Sequence, residues 1–193
     1  MTDRFDILLK DVTALLSKQL SVHLTYHNLN HTLYVIKKAE HIALKEKVSH
    51  KNVVLVKIAA LYHDVGFIKI RDGHEEESCK IAKRQLKGYN YSKEDIDVVC
   101  ETIMATKVPQ NATNHLGQIL ADADLEYLAT NRFKPVSELL YQELKYFNKD
   151  LSRNQWDQMQ IDFMEKHKYL TNYCKRYKSF RKEHNLQKLK SEK

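Results

Sequence analysis

Wound at 3.6 residues per turn, the run Val53-Val54-Leu55-Val56-Lys57-Ile58-Ala59-Ala60-Leu61 is apolar on nearly every side. A helix of that kind has no face to offer solvent, so other elements must surround it. Ser49 stands where its N-cap is needed. The run ends on adjacent His63 and Asp64, with Gly66 just behind. A buried central helix therefore carries two side chains that can bind a divalent metal. Glycine and proline, 4 and 2 in 193 residues, are too few for the tight turns of a sheet protein and suit long helices joined by short loops. The expected fold is all-α, a single-domain helical bundle around one core.

The rest of the chain reads as amphipathic helices. Phe5, Leu8, Leu9, Val12, Leu15, Leu16 and Leu20 recur on a helical period over residues 3 to about 20, the stripe of a packing helix. A second helix is expected from Tyr26-His27-Asn28-Leu29-Asn30-His31 into Leu33, Val35, Ile36, Ala39 and Ala43. On it His27 and His31, four apart, share a face. Residues 67–73 read as a loop, and a helix follows from His74 to a stop at Gly88. Ser92 with Asp95 resembles a capping box for the next helix, and Pro109 ends that helix or lies just beyond it. A sixth spans His115 to about Leu128, with Asp122 and Asp124 interrupting its apolar face. Helices at about Val136–Phe147, at Ser152–His167 and from Leu170 complete the chain. Their aromatic residues Tyr141, Tyr146, Phe147, Trp156 and Phe163 are assigned to packing.

His31, His63, Asp64 and Asp124 together offer two imidazoles and two carboxylates, good ligands for a borderline or hard divalent metal, with positions left for water and substrate. Taken alone, His63-Asp64 fits equally a helix C-terminus where a histidine complements the dipole and the aspartate is incidental. The metal reading requires the ligands to converge from three helices.

Three motifs in order carry a family resemblance: "YHNLNHTLYV" with His31, "AALYHDVGF" with His63-Asp64, and "ILADADLEYLA" with a distal aspartate. Over about residues 23 to 130 the chain resembles the HD superfamily of metal-dependent phosphohydrolases. The resemblance implies an HD-type bundle and a divalent cation (Mn, Mg, Fe, Ni and Zn are not distinguished) held by His31, His63, Asp64 and one later aspartate. Ala123-Asp124-Leu125 matches the family's context better than Asp122 does, so Asp124 is taken as the ligand and Asp122 as an acid behind the site or on the surface. In the cyclic-nucleotide phosphodiesterase branch, the first histidine of a YHNxxH motif is the general acid, which gives His27 that role. The competing reading is a histidine bonded to backbone at a helix start. His74 resembles the additional histidine of binuclear relatives, and Glu75 is placed to orient water. Thr106 stands where a further histidine would complete a second metal site, so one tightly held metal is expected. Val65, Gly66 and Phe67 replace the acid that nucleotidase and alarmone-hydrolase relatives carry, and the GYP signature is missing. Lys69, Arg71 and Lys107 are candidate phosphate contacts, set against the ordinary role of a solvated cation.

In domain terms, residues 1–22 are expected to be a packing helix and 23–130 the HD-type metal-binding core. Residues 131–193 are expected to be C-terminal helices packing on that core, with a basic tail. The expected activity is hydrolysis of a phosphate ester, of a nucleotide or related small molecule, by a metal-activated water. The alternatives are a catalytically silent HD-type nucleotide-binding regulator and a helical interaction protein with incidental His and Asp residues.

Charge and cysteine usage narrow the partners. From Lys175 onward eight Lys and Arg face Glu183 and Glu192, so this short end holds +6 of the chain's +7 and reads as a solvated helix face rather than a nucleic-acid surface. Cys79, Cys100 and Cys174 form no CxxC pair and are odd in number, which argues against a disulfide framework and for a reducing, cytoplasmic setting. Asp3, Arg4, Asp6, Lys10 and Asp11 exclude a signal-peptide apolar region. No run of about 18 apolar residues reads as a membrane span. The expected partner is a small phosphorylated molecule.

Overall fold

The apolar run forms the helix that the others surround. In the computed structural model, which describes residues 4–192, helix α1 spans Arg4–Gln19, α2 Leu29–Lys45 and α3 His50–Tyr62. Next come α4 (His74–Gly88), α5 (Lys93–Met104), α6 (His115–Asp124), α7 (Phe133–Phe147), α8 (Arg153–Lys166), α9 (Asn172–Tyr177) and α10 (Ser179–Ser191). Two 3₁₀ turns, Val65–Ile68 and Glu126–Ala129, follow α3 and α6. Among the described residues every regular element is helical, and no helix is long and apolar enough to cross a membrane. Position 3, with which the expected first helix began, lies outside them.

Ser49 starts α3, its hydroxyl accepting from the Asn52 amide at 3.2 Å. Val56, Ile58, Ala59, Ala60, Leu61 and Tyr62 are fully buried, because α1, α2, α4, α5 and α6 all pack on α3. Val56, Ile58 and Leu61 each contribute roughly 1.5–3 kcal/mol by leaving water. A second apolar cluster unites Leu125, Tyr127 and Leu128 after α6 with Phe133 of α7, Ile161 and Met164 of α8, and Leu186 of α10.

Buried acids tie the C-terminal helices to the rest. Asp122 accepts from the amides of Leu170 and Thr171, each at 2.8 Å, and from the Thr171 hydroxyl at 2.6 Å. Thr171 in turn caps α9. Glu126 accepts from Tyr34 and Lys178 and pairs with Lys38 at 3.2 Å.

Several expectations from the sequence are corrected. His27 lies in a bend before α2, because Asn28 is the N-cap: its side chain accepts from Asn30 and His31 amides and starts the helix one residue later. Phe67 and Ile68 belong to a 3₁₀ turn rather than a loop, and the sixth helix ends at Asp124. The last segment breaks at Lys178 into α9 and α10. Gly66 does not close α3, which ends at Tyr62, but sits inside the 3₁₀ turn that follows. A Cβ there would lie 2.0 Å from the His74 carbonyl oxygen and 2.9 Å from the Ser78 amide. Glycine is required because this turn lies directly against the backbone of α4.

His167, buried between Phe163 and Tyr169 near Lys182, is pushed down to about 4 by burial and then by the lysine charge. It is neutral in the folded chain but takes a proton when unfolded at about pH 6.5. Its contribution is therefore fully present above about pH 6.5 and is lost as pH falls towards 4, a change of about 3 kcal/mol. A His167→Phe protein should show a flatter stability curve over that window in urea titrations. Gly66→Ala should cost about 1–3 kcal/mol, whereas Gly88→Ala, which meets nothing within 4 Å, should be neutral or stabilising. Equal effects at the two glycines in chemical denaturation would contradict the contact described.

Candidate metal centre

Three helices bring four donors to one point. His31 is in the first turn of α2, where Asn28 orients its backbone. His63 and Asp64 leave the end of α3, and Asp124 is the last residue of α6. The Nδ1–H of His63 donates to the Ala60 carbonyl at 2.8 Å, which leaves Nε2 as its free nitrogen. That Nε2 lies 3.3 Å from Nε2 of His31. Asp64 Oδ2 is 3.1 Å from His63 Nε2 and 3.4 Å from His31 Nε2; Asp124 Oδ1 is 3.0 Å from His31 Nε2 and 3.7 Å from His63 Nε2.

These spacings suit a metal. Bonds of about 2.0–2.2 Å to nitrogen and oxygen put neighbouring ligands of one ion roughly 3–3.5 Å apart. The donor atoms of His31, His63 and Asp124 all lie within 4.8 Å of one another. Asp64 Oδ2, buried beside them, has no hydrogen-bond partner. Burial disfavours charge on all these groups, yet Asp64 and Asp124 hold the His63 imidazole well above its ordinary range. Despite burial, the histidines hold both carboxyls below theirs, His63 acting most on Asp64 and His31 on Asp124. An anionic field strong enough to hold a proton on buried imidazole also favours a divalent cation.

The surrounding residues sort themselves by contact. His27 presents Nδ1 to Glu143 Oε1 at 2.5 Å, while Glu143 Oε2 accepts from the amides of Tyr26 and His27 at 2.9 and 3.0 Å. Glu143 is 1% exposed, and its carboxyl lies below the usual range because His27 outweighs the cost of burial. The His27 ring stacks on Phe67, and Phe67 on His74. His74 donates Nδ1–H to the Arg71 carbonyl at 2.9 Å, and its Nε2 lies 3.5 Å from Asp64 Oδ1. Burial works against its imidazolium, but the bond to Asp64 raises its pKa. Glu75 is buried beside it.

A cavity of about 520 Å³ opens on this cluster, within the size range of small-molecule sites. Asp64, Asp124, His27, His74, Glu75 and Thr106 line it. Of the proposed phosphate contacts, Arg71 and Lys107 reach its wall, and Lys69 is not among the lining residues. Lys69 is paired with Glu77 at 2.5 Å, a nearer partner than the cavity. Arg71 lies over the Phe147 ring at 3.9 Å with no partner for Nε, and Lys107 is paired with Glu76 at 2.5 Å.

Asp122, fully buried, faces the α9 cap and not the four donors. Trp156 and Phe163, assigned above to packing, line the cavity. Glu143 was not singled out in the sequence. Its signal was an acid on the apolar stripe that runs through Val136, Leu140 and Phe147.

An all-helical frame that gathers two histidines and two aspartates at the end of its central helix defines a divalent-metal protein. The HD domain family model matches residues 28–126, and the chain belongs to that family, the HD superfamily of metal-dependent phosphohydrolases, which bind divalent metals. The matched segment holds His31, His63, Asp64 and Asp124 but neither His27 nor Glu143. The chain is also similar to an uncharacterized protein of Clostridium beijerinckii, 30% identical over 101 residues. That similarity spans 51% of this chain and 62% of the relative, less than two thirds of its length.

His31→Ala and Asp64→Asn should each leave the purified protein with less than about a tenth of its divalent metal by elemental analysis, since each removes one of the four converging donors. Asp122→Asn should keep the metal but lose about 1–3 kcal/mol of stability, because buried amides at residues 170 and 171 lose a charged acceptor. Metal retained in both of the first two proteins would refute the ligand assignment.

Proposed function

We propose that the protein is a metal-dependent phosphohydrolase that cleaves a phosphate ester of a nucleotide or a related small molecule. One observation carries this reading: the cavity that exposes Asp64 and Asp124 also has His27 on its wall, backed by a buried carboxylate. When bound by His31, His63, Asp64 and Asp124, a divalent cation supplies Lewis acidity, polarising a phosphoryl oxygen and bringing the pKa of water towards neutral.

The chain's own groups do the rest. Glu143 accepts the Nδ1–H of His27, fixing the ring and leaving Nε2 to carry the proton that passes to the leaving oxygen. Phe67, stacked between His27 and His74, keeps the two imidazoles from turning. His74, at the start of α4, stands beside Asp64 with Glu75 next to it, where the two orient water on the phosphorus. Arg71 and Lys107 place positive charge on the wall for the remaining phosphoryl oxygens. The apolar residues at positions 65 and 67 give the site no further acid after Asp64.

Protein stripped with a chelator and reloaded with Mn²⁺ should hydrolyse phosphate esters, and the stripped form should not. His27→Ala should lose about 10²–10⁴ in kcat on an alkyl or nucleoside ester. It should lose far less on p-nitrophenyl phosphate, whose leaving group needs no proton. Glu143→Gln should follow the same pattern more weakly. Equal losses on both substrates would remove His27 from the acid role. No turnover of any ester by the reloaded protein would overturn the hydrolase reading.

A further inference from the structure

Where the last turns of α2 meet α9 lies a second cleft, of about 820 Å³. It shares no lining residue with the metal cavity. It begins at His41, ten residues along α2 from His31 and so about 15 Å away at 1.5 Å per residue.

Its rim is cationic. Lys45, Lys47 and Arg176 are exposed and pair with no acid among the described residues. Lys178 is held by Glu126. The acid on the wall, Glu46, is engaged elsewhere: its buried side chain accepts from the Tyr173 amide at 2.6 Å and meets the His115 ring at 3.0 Å. Unbalanced charge of this kind acts on His41, whose imidazole is held below its ordinary range by partial burial first and then by Lys45, Lys38 and Lys178.

Aromatic rings stand among these cations. Tyr173 and Tyr177, one turn apart on α9, have ring centroids 5.2 Å apart, and the Tyr173 hydroxyl lies 2.9 Å from His41 Nε2. Tyr177 is 60% exposed, so its ring is open to a ligand, and the Arg176 guanidinium lies 5.4 Å from the ring centre. Cations alone on a helix face attract any anion and are screened by salt. Rings set between them favour an anion that also brings a flat π-face. In the sequence the charge beyond Lys175 reads as a solvated face; the fold sets Arg176 and Lys178 opposite Lys45 and Lys47, with tyrosines between.

We propose that the cleft between α2 and α9 is a second ligand site, for a nucleoside phosphate whose base stacks on Tyr177 and whose phosphate meets Lys45, Lys47 and Arg176. A free nucleotide and the end of a single strand offer the same chemistry. No metal ligand takes part, so the proposal stands apart from the hydrolase reading.

The test irradiates Mn²⁺-loaded protein, freed of excess metal, with 8-azidoadenosine 5′-monophosphate and maps the label by mass spectrometry. Label should fall on residues 41–47 and 172–178. Unmodified AMP should displace it. Adenosine, a ring without charge, and inorganic phosphate, charge without a ring, should each compete at least about tenfold less well. Lys45→Gln combined with Arg176→Gln should cut this labelling about tenfold. Manganese content and p-nitrophenyl phosphate turnover should stay unchanged, which shows that the double variant is folded. Tyr177→Leu should cut the labelling about fivefold or more.

A labelled eight-nucleotide strand, followed by anisotropy, identifies the source. Affinity at least about a hundredfold above that of AMP, lost in the same variants, assigns the cleft to a strand, and affinity equal to that of AMP assigns it to a free nucleotide. Label confined to the metal cavity, inorganic phosphate competing as well as AMP, or labelling of residues 41–47 and 172–178 that survives the double variant would each overturn the proposal.

Discussion

Two imidazole nitrogens face each other at 3.3 Å with a carboxylate oxygen on either side. Lone pairs so arranged repel unless something positive lies among them, and burial removes the water that would otherwise screen them. The fold holds this electrostatic demand in place by ending its most apolar helix there. Val56 to Tyr62 anchor α3 on all sides, so His63 cannot swing away without disturbing the core. His31 and Asp124 arrive on α2 and α6, both packed on α3. The packing of the core and the placement of the donors are in that sense the same structure.

The family segment supplies this centre, but part of its surroundings comes from beyond residue 126. Glu143 reaches from α7 to the bend at Tyr26 and His27, and α8 closes the opposite wall of the cavity. Asp122, Glu126 and Glu46 hold the later helices on, each accepting hydrogen bonds from groups about 50 or more residues downstream. Buried carboxylates with several donors are strong local fasteners and costly to leave unpaired.

Much of the fold was legible because helical periodicity is a local signal, and α3 stood out because it lacks a polar face. The start of α2 misled because Asn28, a better cap than any residue before it, lies inside the motif that suggested a continuous helix. The four donors were found through the motifs around them. Glu143 was hidden because its partners are 116 and 117 residues away. Trp156 and Phe163 were taken for packing because an aromatic on an amphipathic stripe has the same periodicity whether it meets a core or a cavity. Asp122 was legible as an acid in an apolar face, but its partners at residues 170 and 171 carry no mark in the sequence.

The contact at Gly66 has a mechanical side. The Gly66 amide donates to the Ser78 hydroxyl at 2.8 Å, and that hydroxyl donates to the His63 carbonyl at 2.8 Å. The end of α3 and the second turn of α4 are thereby riveted through a single serine, with no side chain at residue 66 to hold them apart. The backbone of His63 and the second turn of α4 are joined there, which keeps His74 beside Asp64. The spacing between the four donors and His74 is thus set by a strut two hydrogen bonds long as well as by residues 69–73, which join the two elements in sequence.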